Sequence, residues 1–545
     1  MNPENQRDGN QHPPPSQTGG WLHRVAGSRK GAVWSIGVAI LCLGLFTIKA
    51  VTSLVQESST WDETRYFGVG KYILQNHRWD APGTTHHPPL SYYISSIPLL
   101  FFPGDPHPWK IHGAHAGDLR GRALLASPED RGDRLLDLSR LMMVLTALVL
   151  GWFVYLWSRS LYGEAASILA VVLFSFCPNI LAHARLITPD ITVTTFSFIA
   201  LYYFWRLLRN DSMGDAVLGG FCFGLALLSK FTSLLLWPVC LVLVLLWRAE
   251  TQTLKWRKPL LFAAIAVGIV CLGYGMDPRP YFAGISEQQG HAQEASPVFL
   301  MGRYAGGWWD YFLVAFLLKT PLAALLFLAI AAVLFVNNAL KGRWIDEAFL
   351  LLPAVTVFYF FSLNDVQVGL RYVLPACPFL FVFASQAAQL LVSNAFRMAL
   401  YLAALAWYIG ASCCIHPHYL AYFNELAGGP DHGWKYLVDS NLDWGQDLKG
   451  LKRFMDQHGI ARISLSYFGT DSPERYGIVY DWLPSVGLPD PDPNHHPSRL
   501  KGWIAISATN LQGAYFADKD LFACFRTRKP LAKIGYSIFI YKLDG

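Results

Sequence analysis

Long apolar runs separated by short polar loops rich in arginine and lysine fill the first three quarters of the chain. A helix needs about 20 mostly apolar residues to cross ~30 Å of hydrocarbon, where backbone polar groups find partners only within the segment. Eleven runs fit: Ala32 to Val55, Leu141 to Trp157, Ala165 to Ala182, Ile187 to Trp205, Ala216 to Leu228, Thr232 to Trp247, Leu260 to Gly275, Tyr311 to Val336, Phe349 to Leu363, Val373 to Val392 and Met398 to Ile415. The pattern changes after His416. Helical spacing over Leu448 to Gln457 gives way to strand-like runs at Arg462 to Phe468, Trp503 to Ser507 and Tyr536 to Leu543. Residues 416–545 therefore read as a small α/β domain on an α-helical polytopic membrane protein.

Lys and Arg resist translocation, so their placement orients the spans. With a cytoplasmic N-terminus, the inner segments carry Arg24, Arg29 and Lys30; Arg159; Arg206 and Arg209; Arg248, Lys255, Arg257 and Lys258; Lys341 and Arg343; and Arg397. The long loop 56–140, the loop 276–310 and the region after His416 then face outward. Residues 1–30 read as a disordered cytoplasmic tail, since the first twenty are rich in Pro, Gln, Asn and Gly. The first apolar run is too long for a signal-peptide core and lacks a small-residue cleavage site, so it reads as an uncleaved anchor for a membrane domain over 31–415.

Composition removes other classes. Hydrophobic residues make up 53% and charged residues 15% of the chain, against a usual ~25% charged, which excludes disorder and an ordinary soluble enzyme. A net charge of +6 is no footprint for nucleic acid. Eight of the 9 cysteines fall in apolar runs and only Cys524 in the polar C-terminal part, so no disulfide framework emerges.

Candidate chemistry gathers on the outer side. Just beyond the first run lies Ser59-Thr60-Trp61-Asp62-Glu63-Thr64-Arg65-Tyr66. Two adjacent carboxylates at interface depth suit base catalysis, because low dielectric tunes their pKa; the same string also fits a helix start with Thr60 as cap and Asp62 and Glu63 on the macrodipole. His86 and His87 precede Pro88-Pro89, which stop a helix and lead into an interfacial aromatic one. They could meet a metal, a carboxylate or a phosphate, with His107, His112 and His115 as further nitrogens, yet the spacing matches no tight zinc pattern. Asp190 stands at the outer start of the fourth run, as a presented acid or as a cap. Lys230, Arg303, Lys319 and Arg371 supply outer-face cations. Lys319 lies inside its run, at a cost of about 2.5–3.5 kcal/mol, so it requires a polar cavity or a partner, and Pro321 is expected to kink that helix. Asn441, Asp443 and Trp444 suit either sugar contacts or a helix start capped by Asp443. Acids and cations converging on one membrane face suit an amphiphilic, phosphorylated substrate.

These strings resemble the GT-C membrane glycosyltransferases, specifically protein O-mannosyltransferase family 39 and the related lipid A aminoarabinose transferases. Asp62 to Tyr66 is similar to their first-loop acidic motif, His87-Pro88-Pro89-Leu90 to their basic-Pro-Pro-Leu segment and Thr188-Pro189-Asp190 to their second-loop acid. Gly307 to Pro321, Gly369 to Pro375, Tyr422 to Gly429 and Asp439 to Gly445 resemble bacterial members of family 39. The likeness runs from about Trp61 to Asp447. Where the aminoarabinose transferases have Lys before Pro-Pro, this chain has His87. The resemblance implies inverting transfer of a sugar from a polyprenyl-monophosphate-sugar donor to a hydroxyl of a protein, lipid or glycan acceptor. Asp62 would be the base, Glu63 would position base or acceptor, and Arg371 with Lys319, Lys230 or Arg303 would meet the donor phosphate. No cofactor is implied, and a monophosphate leaving group leaves a divalent metal optional. A polytopic transporter, and an inactive protein of this fold serving binding or assembly, are the competing readings.

Overall fold

The structure is a computed structural model that describes residues 29–79, 83–101, 116–126, 131–252, 256–293, 297–487 and 501–543. All but the last two residues of the expected tail, together with Lys255, His107, His112 and His115, lie outside the described residues.

Among the described residues, eight helices are long and apolar enough to cross a membrane: Gly31–Leu54, Arg131–Tyr162, Pro189–Asn210, Phe231–Thr251, Leu322–Ala339, Ile345–Ser362, Leu370–Leu391 and Ala395–Cys414. The chain is an integral membrane protein of mostly helical fold. The third, fifth and seventh expected spans are also helical but shorter, at Glu164–Ser175, Met213–Leu227 and Arg257–Gly273. Two expected spans are not single helices. The third breaks at Phe176-Cys177 and resumes as Pro178–His183, and the eighth divides into Tyr311–Lys319 and Leu322–Ala339 around Thr320-Pro321. Proline cannot donate to the preceding turn and clashes with it, so Pro178 opens a new helix and Pro321 separates two, a full break where a kink is expected.

Burial ranks the spans. The fourth and tenth are each 78% buried within the fold, against 28% for the first and 17% for the last, so these two form the bundle's centre. Leu and Ile on the outer helices, such as Ile40 and Leu41, face outward, since lipid is as apolar as they are.

The polar C-terminal region forms a sheet. Numbering all strands in chain order, Val298–Leu300 (β1) and Arg303–Ala305 (β2) make a separate hairpin, and Ile463–Ser466 (β3), Tyr480–Trp482 (β4), Gly502–Ser507 (β5), Ala532–Ile534 (β6) and Ile538–Leu543 (β7) form one sheet of order β4-β3-β5-β7-β6. Strand β3 is parallel to β4 and β5, while β7 is antiparallel to β5 and β6. Helix Leu448–Gln457 lays Leu448, Leu451 and Met455, spaced for one helical face, on Ile463, Leu465 and Ile540.

Contacts from the first outer loop tie this unit to the bundle. Helix Trp61–Asn76 packs so closely on helix Ala116–Leu125 that a Cβ on Gly121 would lie 1.7 Å from the Thr64 carbonyl oxygen. Ser59 donates to Asp471 at 2.9 Å, and Thr470 donates to the Trp61 carbonyl at 2.8 Å.

Candidate active site at one end of the bundle

Four charged side chains from four segments meet where the central spans open. Asp62 lies in the first turn of Trp61–Asn76, Asp190 in the first turn of the fourth span, Arg371 in the 3-10 turn that begins the tenth, and Lys230 just ahead of the sixth. The Arg371 guanidinium donates to Asp62 Oδ2 at 2.7 Å and lies 3.8 Å from Asp190 Oδ2. Lys230 Nζ donates to Asp190 Oδ1 at 2.8 Å. Two acids and two cations balance, as partly buried charges must. Asp62 is the accessible acid, its side chain 24% exposed against 1% for Asp190. Arg371 Nε and Asp190 Oδ2 are buried without hydrogen-bond partners, leaving polar capacity for a ligand.

Aromatic rings seat the cations. Arg371 lies over the Trp444 ring at 4.3 Å and Lys230 over Tyr372 at 4.5 Å, where the ring quadrupole attracts them. The same Trp444 accepts from the Trp61 N–H through its carbonyl at 2.8 Å, so one residue fixes both partners of the Asp62–Arg371 pair. Asn441 Oδ1 accepts from Leu370 N–H at 3.0 Å, and its amide donates to the Tyr311 hydroxyl at 2.9 Å. Lys319 stands behind this layer. Its ammonium donates to the carbonyls of Leu420 (2.9 Å), Tyr422 (3.1 Å) and Asn441 and sits over Phe423, so its three N–H groups are occupied and it braces the loop that holds Arg371.

Glu63 points the other way. It is fully buried against Arg140, with hydrogen bonds of 2.6 and 2.9 Å, and also accepts from the backbone N–H of Thr60 and Ile187. Burial alone raises its pKa, but the Arg140 charge and these hydrogen bonds outweigh that and hold it below the usual carboxylate range. Arg140 further donates to the carbonyls of Leu54, Glu57 and Ser58, locking the first loop to the second span.

The remaining candidates divide. His87 is half-buried and stacks on Tyr66 at 5.8 Å; desolvation first, then the positive neighbours His86, Lys230, Arg371 and Arg65, hold its pKa well below normal. His86 faces Glu287 at 3.4 Å, Arg65 pairs with Asp118 at 3.1 Å, and Arg303, exposed at the start of β2, lies over Trp308. Asp443 caps no helix: the helix begins at Leu448, behind Asp447, and Asp443 instead accepts from Thr509 N–H at 2.8 Å. Burial pushes its carboxyl up to about 8.

Sequence reasoning did not select Arg140, Tyr372 or Asp439. Asp439 has a left-handed backbone (φ 57°) and accepts from the Tyr515 hydroxyl; burial pushes it up to about 6, against the pull of Tyr515 and then Arg371. Arg140 had one legible signal, a cation at the outer edge of an apolar run. Asp439 had only its place in the quoted motif.

Close to these charges in the chain, a small apolar cavity of about 30 Å³ lies between the fourth, sixth, ninth and tenth spans, lined by Val193, Ser197, Leu236, Val239, Val357 and Phe379 among others. Val193 is three residues past Asp190, and Ser233, also in the lining, bonds the Lys230 carbonyl at 2.7 Å.

Fold and site together define a polytopic membrane protein with a charged cluster at one end of its central spans. The family model for dolichyl-phosphate-mannose-protein mannosyltransferase matches residues 135–274, roughly a quarter of the chain, and there the resemblance read from the sequence is met. The matched stretch holds Arg140, Asp190 and Lys230 but neither Asp62 nor Arg371. Among solved structures, ArnT from Cupriavidus metallidurans bound to undecaprenyl phosphate is 14% identical, covering 92% of this chain and 97% of that one with a TM-score of 0.49. The archaeal oligosaccharyltransferase AglB from Archaeoglobus fulgidus, in complex with an inhibitory peptide and a dolichol-phosphate, is 15% identical, covering 71% of this chain and 56% of that one with a TM-score of 0.46. No curated protein matches the sequence.

Proposed function

We propose that this protein is an inverting glycosyltransferase that moves a sugar from a polyprenyl-monophosphate carrier to an acceptor hydroxyl at the outer membrane face. The observation that carries the reading is the Asp62–Arg371 ion pair beside the Asp190–Lys230 pair at one end of the central spans. A donor phosphate would sit at the level of Arg371 and Lys230, and the spans around the cavity of about 30 Å³ would have to part to admit its isoprenoid chain. The family match over residues 135–274 supports the same class.

The phosphate draws Arg371 onto itself and releases the Asp62 carboxylate. Asp62 then takes the acceptor hydroxyl's proton as that oxygen bonds to the anomeric carbon and the carbon–phosphate-oxygen bond breaks on the opposite face. Negative charge grows on the departing phosphate, and Arg371 and Lys230, already in place on their aromatic seats, stabilise it without reorganising. Glu63, with Arg140, positions the helix that bears Asp62; Lys319, Asn441 and Trp444 position Arg371. In this reading the N-terminus is cytoplasmic, residues 31–415 form the catalytic membrane domain and 416–545 form the outer unit facing a protein, lipid or glycan acceptor. A transporter would place its binding groups near the midplane, whereas these lie at one end of the spans.

The test is transfer by the purified protein in liposomes from a panel of radiolabelled polyprenyl-phosphate sugars, with products separated into protein, lipid and glycan fractions. The reading predicts label in one of these fractions. Donor binding without transfer to any of them, or solute uptake in its place, would contradict it.

A further inference from the structure

Two clefts meet on the far side of the outer unit, where the last span leaves the membrane. One is largely apolar, lined by Ala411, Cys414, Ile415 and Phe423, with Glu425 as its one carboxylate. The other is polar and basic, lined by Lys529, Lys533, His418 and His432 with Asp431. Tyr536 lines both.

The surroundings fix the depth of these clefts. The apolar one is built on the final turn of Ala395–Cys414 and the residues that follow it, at the boundary between hydrocarbon and head groups. Trp407, half-exposed on that helix, donates its indole N–H to Glu425 at 2.8 Å, the arrangement of an interfacial tryptophan. Leu426 and Leu531, 63% and 62% exposed, flank the clefts, and exposed leucines at this level are at home against lipid rather than water. The basic cleft lies on edge strand β6. Lys533 pairs with Asp431 at 3.1 Å, while Lys529 has no carboxylate partner among the described residues, so the basic cleft itself keeps one positive charge in excess; the carboxylate of the adjoining cleft, Glu425, accepts from Trp407. Tyr536 is held at φ 64°, a strained backbone for a tyrosine, and outliers of this kind collect at ligand clamps.

We propose that the two clefts are the halves of one site for an anionic glycerophospholipid of the outer leaflet, its phosphate between Lys529 and Lys533 and an acyl chain along Ala411, Cys414 and Phe423. Charge complementarity and the junction of an apolar slot with a cationic one at head-group depth select this ligand. The site is separate from the Asp62–Arg371 cluster and does not depend on the transfer reaction.

The experiment uses the full-length protein purified in neutral detergent and offered an equal mixture of phosphatidylglycerol and phosphatidylcholine with identical acyl chains, retained lipid being counted by native mass spectrometry. Phosphatidylglycerol is expected to be retained in preference, and Lys529→Gln and Lys533→Gln each to weaken that retention by about fivefold, the effect of one basic residue near an anionic surface. Ala411→Trp, which fills the apolar half from the lipid side, is expected to lower retention without touching either lysine. Equal retention of both lipids, or retention unchanged by the lysine variants, would overturn the proposal. Displacement of bound phosphatidylglycerol by inorganic phosphate alone would overturn it too, by showing an ion site with no use for the lipid.

Discussion

Asp62 and Glu63 are neighbours in sequence, and their surroundings give them different work. Asp62 reaches a partly exposed mouth and the counter-charge of Arg371; Glu63 is sealed against Arg140 with both oxygens occupied. Adjacent residues at the start of a helix point about 100° apart, so the sequence could present both acids while leaving open which faced the reaction. Glu63→Gln leaves the Arg140 guanidinium buried without its counter-ion and is expected to cost about 3–5 kcal/mol of stability, seen as a large drop in Tm of the detergent-solubilised protein. Asp62→Asn, at a more exposed position, is expected to melt close to the parent. Equal melting of the two variants would contradict this division. The Asp62–Arg371 pairing itself was not legible: 309 residues separate the partners, and no local pattern records a contact of that kind.

At the scale of elements, lipid writes its demands plainly into sequence. Each expected run is helical because every backbone group in hydrocarbon must be paired within its segment, and Leu448–Gln457 is a helix over the residues expected. The breaks at Cys177-Pro178 and Thr320-Pro321 were less visible, since the residues on either side stay apolar while the backbone geometry changes. The cavity between the fourth, sixth, ninth and tenth spans was invisible, because it depends on which apolar residues fail to fill the space between them. It yields a prediction of its own. Val357→Phe, at a partly buried lining position, is expected to raise KM about tenfold for a long-chain polyprenyl-phosphate donor, the loss of roughly two buried methylene groups. A short-chain donor with the same sugar, too short to reach Val357, should keep its KM. Equal effects on both donors would place the isoprenoid elsewhere.

Across the whole molecule, the outer unit is joined to the bundle through a loop rich in buried acid. Burial pushes Asp439 and Asp447 up to about 6 and Asp443 up to about 8. A carboxyl whose pKa rises on folding favours the folded state most at low pH, and that stability is lost as pH climbs from the ordinary carboxylate range through the raised pKa. Tm is therefore expected to fall between pH 5 and pH 8, and Asp443→Asn, which stays neutral throughout, should flatten the upper part of that fall. A variant with the parent's full slope would contradict the assignment. The orientation is tested by Cys524, an exposed thiol in the outer unit: in a variant retaining that cysteine alone, an impermeant maleimide applied to intact spheroplasts is expected to label it. Protection until lysis would place the C-terminal unit inside. The alternation of basic loops predicts this orientation from sequence, whereas the way residues 439–447 grip both Trp61 and Arg371 needed the folded chain.

The central claim is that Asp62 and Arg371 form one reactive centre with distinct roles, and steady-state transfer by the single variants measures it most directly. With donor and acceptor varied in turn, Asp62→Asn should lower kcat by at least about 100-fold, as expected for a lost general base, with donor KM nearly unchanged. Arg371→Ala should raise donor KM by at least about tenfold, the loss of a charge-assisted contact to phosphate. Undiminished turnover in Asp62→Asn, or unchanged donor saturation in Arg371→Ala, would contradict the account.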